Sequence, residues 1–128
     1  MRKHVSNLEL SRKMEELGCK QESEFYWVCF NDDKSESIKV WDLRNNHIGF
    51  KLFYSAFLAS EIAESLPLTV CVKKRIHTRE YFLEIQKLSL GWTIYYMGLH
   101  GVTDKTLPNA LAKMEIFLLE HGLMEVDR

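Results

Sequence analysis

Histidine and cysteine, the side chains most often used to bind zinc, are scattered singly along this sequence. They are His4, Cys19, Cys29, His47, Cys71, His77, His100 and His121. Zinc sites usually place two such ligands one helical turn or one short loop apart, and this spacing does not occur here. The odd number and irregular spacing of the cysteines do not fit a disulfide framework. We therefore expect no metal, no cofactor and three reduced thiols.

Sequence motifs of nucleotide binding and nucleophilic catalysis are also missing. The acidic run Asn31–Asp33 lacks the glycine that an EF-hand calcium loop requires. Gly98 and Gly101 lack the lysine of a phosphate-binding loop, and no G-x-S-x-G sequence occurs. The sequence thus offers no catalytic residue, and we expect a protein without enzymatic activity.

One short segment is densely basic, and it is followed directly by Tyr81 and Phe82. It contains Lys73, Lys74, Arg75, His77 and Arg79. At the tip of a β-hairpin, this segment would contact phosphate or an acidic protein surface, and the adjacent aromatic residues suit single-stranded nucleic acid. Alternatively, the charges protect a sheet edge from aggregation, with Arg75 paired to Glu80. The formal net charge of −1 gives no general argument for nucleic-acid binding.

Large aromatic residues are concentrated in the segments that read as strands. Trp27 lies in a segment that is apolar on both faces, and Trp92 and Tyr96 lie in another. Tryptophan and tyrosine are favoured at protein interfaces because they combine a large area with a polar group. One interpretation is a sheet face that binds a partner protein or a second copy of the chain. The alternative is that helices bury these residues in the core.

The periodicity of the apolar residues predicts three helices separated by strands. Ser6–Glu9 has the S-x-x-E pattern of a capping box, and Gly18 ends the first helix. We expect Ser55 to cap the second helix, which Pro67 ends, and Thr106 to cap the third. The strands are predicted at 24–30, 37–43, 69–76, 79–88 and 92–98, with an uncertain further strand at 48–54.

This order of elements, α-β-β-α-β-β-β-α, predicts an α+β fold. A first hairpin and a three-stranded meander form an antiparallel sheet, and about three helices pack on one face of it. A two-residue turn at His77-Thr78 would place Val72 opposite Leu83. The length of 128 residues fits a single domain, 1–128. No signal peptide or bilayer-spanning run is visible, so we expect a cytoplasmic protein that does not contact a membrane.

Four stretches of the chain contain helix caps, helix ends and apolar core positions in a fixed order. They are Leu8–Gly18, Gln21–Trp27, Ala59–Pro67 and Thr106–Glu120. Together they resemble a group of small proteins of unknown function that are encoded by bacteriophages, prophages and other bacterial mobile elements. The resemblance implies a bacterial host cell as the setting, and it transfers no catalytic residue.

The leading hypothesis is a non-enzymatic phage or prophage accessory protein that binds another macromolecule, preferably a protein, or associates with itself as a homodimer. The residues proposed to bind the partner are Lys73, Lys74, Arg75, Arg79, Trp27, Trp92 and Tyr96. One alternative is a nucleic-acid-binding module that uses the basic segment 73–79. Another is a small-ligand-binding protein, whose pocket would draw on polar residues such as Glu61, Glu64, His77 and His100.

Overall fold

The computed structural model describes residues 4–30, 38–42, 50–74, 77–96 and 101–125, with side chains in 4–27, 54–71, 80–96 and 101–125. Within these residues there are three helices, α1 (Leu8–Glu16), α2 (Ala59–Ser65) and α3 (Leu107–Glu120). The strands are β1 (Phe25–Phe30), β2 (Ile38–Asp42), β3 (Phe50–Ala56), β4 (Thr69–Lys74), β5 (His77–Leu88), β6 (Gly91–Tyr96) and β7 (Gly101–Asp104). The predicted α+β class and the order of the elements are confirmed, and β7 is an addition.

The first sheet has β1 at its centre, with β2 and β3 paired antiparallel on its two sides. The sequence of β1, FYWVCF, consists largely of aromatic and β-branched residues, which favour strands. The pairing with β3 shifts register between Trp27 and Val28, as at a β-bulge. β3 covers most of the segment 48–54, so the uncertain strand of the sequence prediction is present and continues to Ala56.

The start of α1 lies one residue later than predicted. Asn7, rather than Ser6, is the N-cap, and its side-chain oxygen accepts a hydrogen bond from Leu10 N at 2.8 Å. Ser6 is fully buried instead, and its hydroxyl oxygen accepts from Phe57 N at 3.1 Å. The backbone N–H of Asn7 donates to the side-chain oxygen of Asn109 at 2.8 Å. The residues at the start of α1 thus join this helix to both β3 and α3.

The predicted cap of α2 is also wrong, because Ser55 belongs to β3. Its backbone N–H donates to the Gln21 side-chain oxygen at 2.8 Å. The N-cap of α2 is Leu58, whose backbone N–H donates to the Glu61 carboxylate at 2.8 Å. Glu61, in the first turn of α2, therefore makes the capping contact that the sequence predicts for Ser55. Ser55 does not cap α2 because β3 extends further than its sequence pattern indicates.

The second sheet is an antiparallel meander in the order β4-β5-β6-β7. Val72 in β4 lies opposite Arg79, not opposite Leu83, because the predicted turn residues 77–78 belong to β5. The two registers differ by an even number of residues, so Val70, Cys71, Glu80, Tyr81 and Phe82 stay on their predicted faces. The added strand β7 has only four residues and includes Gly101 and Asp104, residue types that are depleted in strands.

The two faces of the second sheet differ in burial. The inner face packs against α3 and carries Val70, Tyr81, Ile94 and Tyr96, all of which are buried. The outer face carries Cys71, Glu80, Phe82 and Gln86, all of which are exposed. This division is the half-solvated pattern typical of an antiparallel sheet with one covered face.

α3 is apolar on most of its circumference, which is typical of a helix buried on several sides. It contacts α1, α2, β6 and β7. Its buried residues are Pro108, Ala110, Leu111, Ala112, Met114, Glu115, Ile116 and Leu118. In the part of the chain that the structure describes, no helix is long and apolar enough to cross a bilayer.

A second, smaller core lies between the first sheet and the segment before α1. It contains Val5, Phe25, Trp27 and Ala56. The indole Nε1–H of Trp27 donates to the backbone oxygen of Ser6 at 3.1 Å, so the polar group of this buried ring is satisfied. This contact fixes the segment before α1 against the first sheet.

Replacing Tyr96 with phenylalanine is expected to lower the free energy of unfolding by about 1–2 kcal/mol. The Tyr96 ring is fully buried, and its hydroxyl donates to Pro67 O at 2.7 Å, so the variant removes one hydrogen bond without removing the ring. Urea unfolding followed by circular dichroism measures the change. Tyr95→Phe, at the partly exposed neighbouring position, is the control. An equal effect of the two substitutions would contradict the core role of Tyr96.

Candidate functional site

The basic segment lies at the end of the β4–β5 hairpin, as predicted. Lys73 and Lys74 are the last residues of β4, and Arg79 is the third residue of β5. Arg75 lies outside the described residues. The predicted register, with Arg75 opposite Glu80, is wrong, because Cys71 is the residue opposite Glu80. A role of this segment in binding phosphate or an acidic surface stays a prediction.

The aromatic residues that we assigned to a partner interface lie mostly in the core. Trp27 is 5% exposed and Tyr96 is 0% exposed, so neither offers surface to a partner. Helices and the N-terminal segment cover them, which is the alternative left open by the sequence. Trp92 is half-buried, and the Lys87 ammonium group lies 5.5 Å from the centre of its ring. Of the three aromatic residues, Trp92 alone retains surface.

A cleft of about 620 Å³ opens where the end of α1, the end of α2 and the second half of α3 meet. Pockets of this size commonly hold small ligands or peptide segments. Apolar side chains such as Met14, Phe57 and Ile62 form part of its wall. Its charged lining consists of Lys20, Glu22, Glu61, Glu64, Glu115 and Glu125. The cleft is therefore predominantly acidic.

The end of α1 places Cys19 in this cleft. Gly18 adopts a left-handed conformation with φ of 90°, and its N–H donates to Glu15 O at 2.9 Å. The N–H of Cys19 donates to Met14 O at 2.9 Å, so the chain reverses direction directly after the helix. α1 ends before Gly18, as the sequence predicts, and the reversal of the chain there places the Cys19 side chain against α3.

Glu115 lies at the floor of the cleft and is only 4% exposed. Its Oε1 is hydrogen-bonded to the hydroxyl of Ser65, the last residue of α2. Its Oε2 accepts a hydrogen bond from the Cys19 thiol, with a sulfur–oxygen distance of 3.6 Å. One carboxyl group therefore connects residues from the ends of α1 and α2 to the middle of α3.

The hydroxyl of Ser65 connects Glu115 to the last turn of α2. Its Oγ lies 2.8 Å from Ile62 O and also donates to Glu115 Oε1, so its single proton is shared between a backbone oxygen and a carboxyl oxygen. The two hydrogen bonds that Glu115 accepts, from Ser65 and from Cys19, therefore both come from neutral groups.

Burial has the largest effect on the pKa values of the titratable groups at this cleft. Burial raises the pKa of Glu115, although the hydrogen bonds of Ser65 and Cys19 act in the opposite direction. Burial, followed by repulsion from Glu115, raises the pKa of Cys19 to about 12. The same two causes raise the pKa of Tyr96 to about 12. The charged forms of all three groups are disfavoured here.

The Cys19 thiol and the Ser65 hydroxyl are not activated as nucleophiles in this arrangement. The thiolate is the reactive form of cysteine, and Cys19 holds its proton at neutral pH. Ser65 is paired with a carboxyl group and not with a histidine, the base that most often activates serine. Among the described residues, no group of three or more histidine, cysteine or acidic side chains is placed to hold a metal ion.

Sequence reasoning found part of this cleft. Glu61 and Glu64 line it, whereas His77 lies at the start of β5 and His100 lies outside the described residues. Glu115 was not identified from the sequence, because no spacing links it to another functional side chain. A glutamate in the middle of a helix that is apolar on most sides is the signal that would have identified it.

Comparison of the chain with models of known protein families, with curated protein sequences and with solved structures gives no match. The family resemblance inferred from the sequence therefore stays a prediction. The function is argued below from the geometry of the cleft.

Replacing Glu115 with glutamine is expected to change how stability depends on pH. Because burial raises the Glu115 pKa above its ordinary value of 4.5, the folded state binds the proton more tightly than the unfolded state. This contribution to stability is complete below the ordinary pKa and is lost as pH rises through the raised pKa of the folded state. The stability of the wild type relative to Glu115→Gln should therefore fall as pH rises from acidic values.

Urea unfolding at a series of pH values measures this difference. Glu64→Gln is the matched control, because it removes an exposed carboxylate from the same cleft. A difference between wild type and Glu115→Gln that is constant with pH would contradict a raised pKa of Glu115.

Cys19 is expected to react with iodoacetamide more than about a hundredfold slower than exposed Cys71 at neutral pH. Its pKa of about 12 leaves little thiolate. Mass spectrometry of the proteolysed protein gives the rate at each cysteine. Because repulsion from Glu115 contributes to this pKa, Glu115→Gln should accelerate the reaction of Cys19 and leave that of Cys71 unchanged. Equal rates at the two cysteines would contradict the assignment.

Proposed function

We propose that the protein is a non-enzymatic binding protein whose cleft receives a positively charged side chain, arginine or lysine, of a partner protein. The observation that carries this proposal is the state of Glu115. It is a carboxyl group buried at the floor of an open cleft, and among the described side chains its hydrogen-bonding partners are neutral. A buried carboxylate is stabilised strongly by a cation, and a cation entering the cleft would supply that partner.

The charges around the cleft support a cationic ligand. Five glutamates and one lysine line it, and the lysine, Lys20, already lies 3.4 Å from a carboxylate oxygen of Glu22. Glu61 accepts hydrogen bonds from the backbone N–H groups of Leu58 and Glu24, which hold its carboxylate in place. Attraction between opposite unit charges at 4 Å is about 4 kcal/mol at the effective dielectric of a protein surface, and about 1 kcal/mol in water. Partial enclosure therefore favours binding.

The size and the walls of the cleft support a peptide segment as the carrier of the charge. The volume of about 620 Å³ exceeds what one arginine or lysine side chain fills, and apolar groups such as Met14 and Met124 line part of it. Methionine adapts its shape to different apolar partners. The aliphatic part of a basic side chain and one neighbouring residue would pack against these groups.

The same features speak against the two other hypotheses. An acidic cleft repels phosphate, so a nucleic acid would have to bind through the basic segment 73–79, away from this site. The high pKa of the Cys19 thiol and the hydrogen bonds of Ser65 leave no activated nucleophile among the described cleft residues. We place the protein, on the resemblance of its sequence, among phage or prophage accessory proteins of a bacterial cytoplasm.

The test uses the peptide acetyl-Gly-Arg-Gly-amide and its citrulline counterpart, which has the same shape without the charge. Proton–nitrogen correlation spectra of the labelled protein are recorded as each peptide is added. The arginine peptide is expected to shift the amide signals of Ser65, Glu115 and Met124, and the citrulline peptide is not. Absence of shifts at the cleft up to millimolar peptide, or equal shifts with citrulline, would overturn the proposal.

Substitutions of rim carboxylates test the electrostatic part of the proposal. Glu64→Gln and Glu125→Gln should each weaken binding of the arginine peptide by about two- to fivefold, as expected for partly exposed ion pairs. Glu80→Gln, on the outer face of the second sheet, is the matched control and should leave the affinity unchanged. Binding should also strengthen with rising pH, because the buried Glu115 then loses its proton more readily.

A further inference from the structure

The turn between β5 and β6 exposes two leucines. Leu90 is 88% exposed and Leu88 is 46% exposed, which makes Leu90 the most exposed large apolar side chain in the described part of the chain. Single exposed apolar residues are common on protein surfaces. Leu88 ends β5 and Leu90 follows in the turn, so two exposed leucines lie close to the half-buried Trp92, which calls for a separate explanation.

This turn is held rigidly against the connection between β7 and α3. Gly91 has a φ of 153°, and a Cβ at this position would lie 2.3 Å from Asp104 O and 3.0 Å from Lys105 Cα. The two chain segments are therefore in direct backbone contact, which any other residue at position 91 would disrupt. Between them lies a concave, mainly apolar depression of about 320 Å³, which Leu88, Leu90 and Trp92 help to line. The depression is thus bounded by two chain segments that are in backbone contact.

The charges around this depression are positive. Lys105 lines the depression and is exposed, and Lys87, which is also exposed, lies over the Trp92 ring at 5.5 Å. The acidic group nearby, Asp104, is already paired with Lys113 at 2.9 Å between oxygen and nitrogen. Within the described side chains, no carboxylate forms an ion pair with Lys87 or Lys105. The charge available to a partner is therefore positive.

We infer that the surface formed by Lys87, Leu88, Leu90, Trp92 and Lys105, here called the turn patch, binds a segment of a partner protein that carries an apolar side chain flanked by carboxylates. The apolar side chain fills the depression beside Leu90 and Trp92. The carboxylates pair with Lys87 and Lys105. The turn patch and the acidic cleft require opposite charges on their ligands, so this inference does not depend on the function proposed for the cleft.

The test selects binders from a random peptide library displayed on particles, with the wild-type chain as bait and with Leu90→Ser used to remove peptides that bind elsewhere. The enriched peptides are expected to combine an aromatic or aliphatic residue with adjacent aspartate or glutamate. Because burial of one leucine side chain accounts for about a tenfold to hundredfold change in affinity, Leu90→Ser should weaken these peptides by that factor. Lys87→Glu and Lys105→Glu should weaken them as well.

Leu68→Ser is the matched control, because Leu68 is also a highly exposed leucine, at 73%, and lies outside the turn patch. It should leave peptide binding unchanged, as should Glu64→Gln in the cleft. Leu90→Ser replaces an exposed side chain, so the variant is expected to fold, and circular dichroism checks this. Enriched peptides without acidic residues, or equal binding to wild type and Leu90→Ser, would overturn the inference.

Two further outcomes would assign the turn patch to another occupant and also overturn the inference. The first is a dimer in sedimentation velocity that Leu90→Ser abolishes, since it would make a second copy of the chain the occupant. The second is co-sedimentation with vesicles of anionic phospholipid that the same substitution abolishes. A wild-type chain that is monomeric, fails to bind these vesicles and binds acidic-apolar peptides through Leu90 supports the inference.

Discussion

The burial of α3 on most of its sides is the constraint on which the rest of the structure depends. The inner face of the second sheet covers one side of this helix, and α1 and α2 cover others. A helix in this position loses contact with water along most of its length, so each polar group on it needs a partner within the protein. Among the buried residues of α3, Glu115 is the titratable one, and its carboxyl group therefore needs such partners. The ends of α1 and α2 meet the requirement through Cys19 and Ser65.

The position of this network also explains why a cleft exists beside it. Helices that end near one another leave space between their ends, whereas helices that run past one another fill that space with side chains. α1 turns away at Gly18, and α2 ends at Ser65. The second half of α3 continues beyond both and supplies the floor. The acidic cleft and the basic turn patch thus lie near different parts of α3, and local charge of each sign is present in a chain with a formal net charge of −1.

Much of the fold could be predicted because it rests on local patterns. The apolar periodicity of α3, the aromatic sequence of β1 and the left-handed glycine after α1 each determine their element with little help from the rest of the chain. Thr106 is the N-cap of α3, as predicted. The N-caps of α1 and α2 could not be predicted, because the Ser6 hydroxyl bonds to Phe57, which is distant in sequence, and Ser55 belongs to β3. The assignment of residues to the two faces of β4 and β5 was correct although the predicted register was wrong, because the register error was an even number of residues.

The candidate site was harder to predict than the fold. Its carboxyl, thiol and hydroxyl groups come from three helices separated by long stretches of sequence, and no spacing links Cys19, Ser65 and Glu115. The burial of Trp27 and Tyr96 was equally a matter of tertiary packing, because an aromatic residue suits a core and an interface alike. Residue type alone does not distinguish these two environments. Leu88 and Leu90 were likewise not singled out from the sequence, because a leucine at the end of a strand or in a turn does not by its type reveal whether it is exposed.

The hydrogen bond from Asn7 to Asn109 joins residues that are 102 positions apart in the sequence. Contacts of such long range slow folding, because a long loop must close before they form. During synthesis on the ribosome, the segment before α1 emerges well before Asn109 is made, and it reaches its final position only when α3 has followed. A nascent chain that stops short of α3 therefore exposes the apolar side of α1 and the inner face of the second sheet. Such a chain is a substrate for chaperones and proteases, and the cleft forms only after α3 has docked.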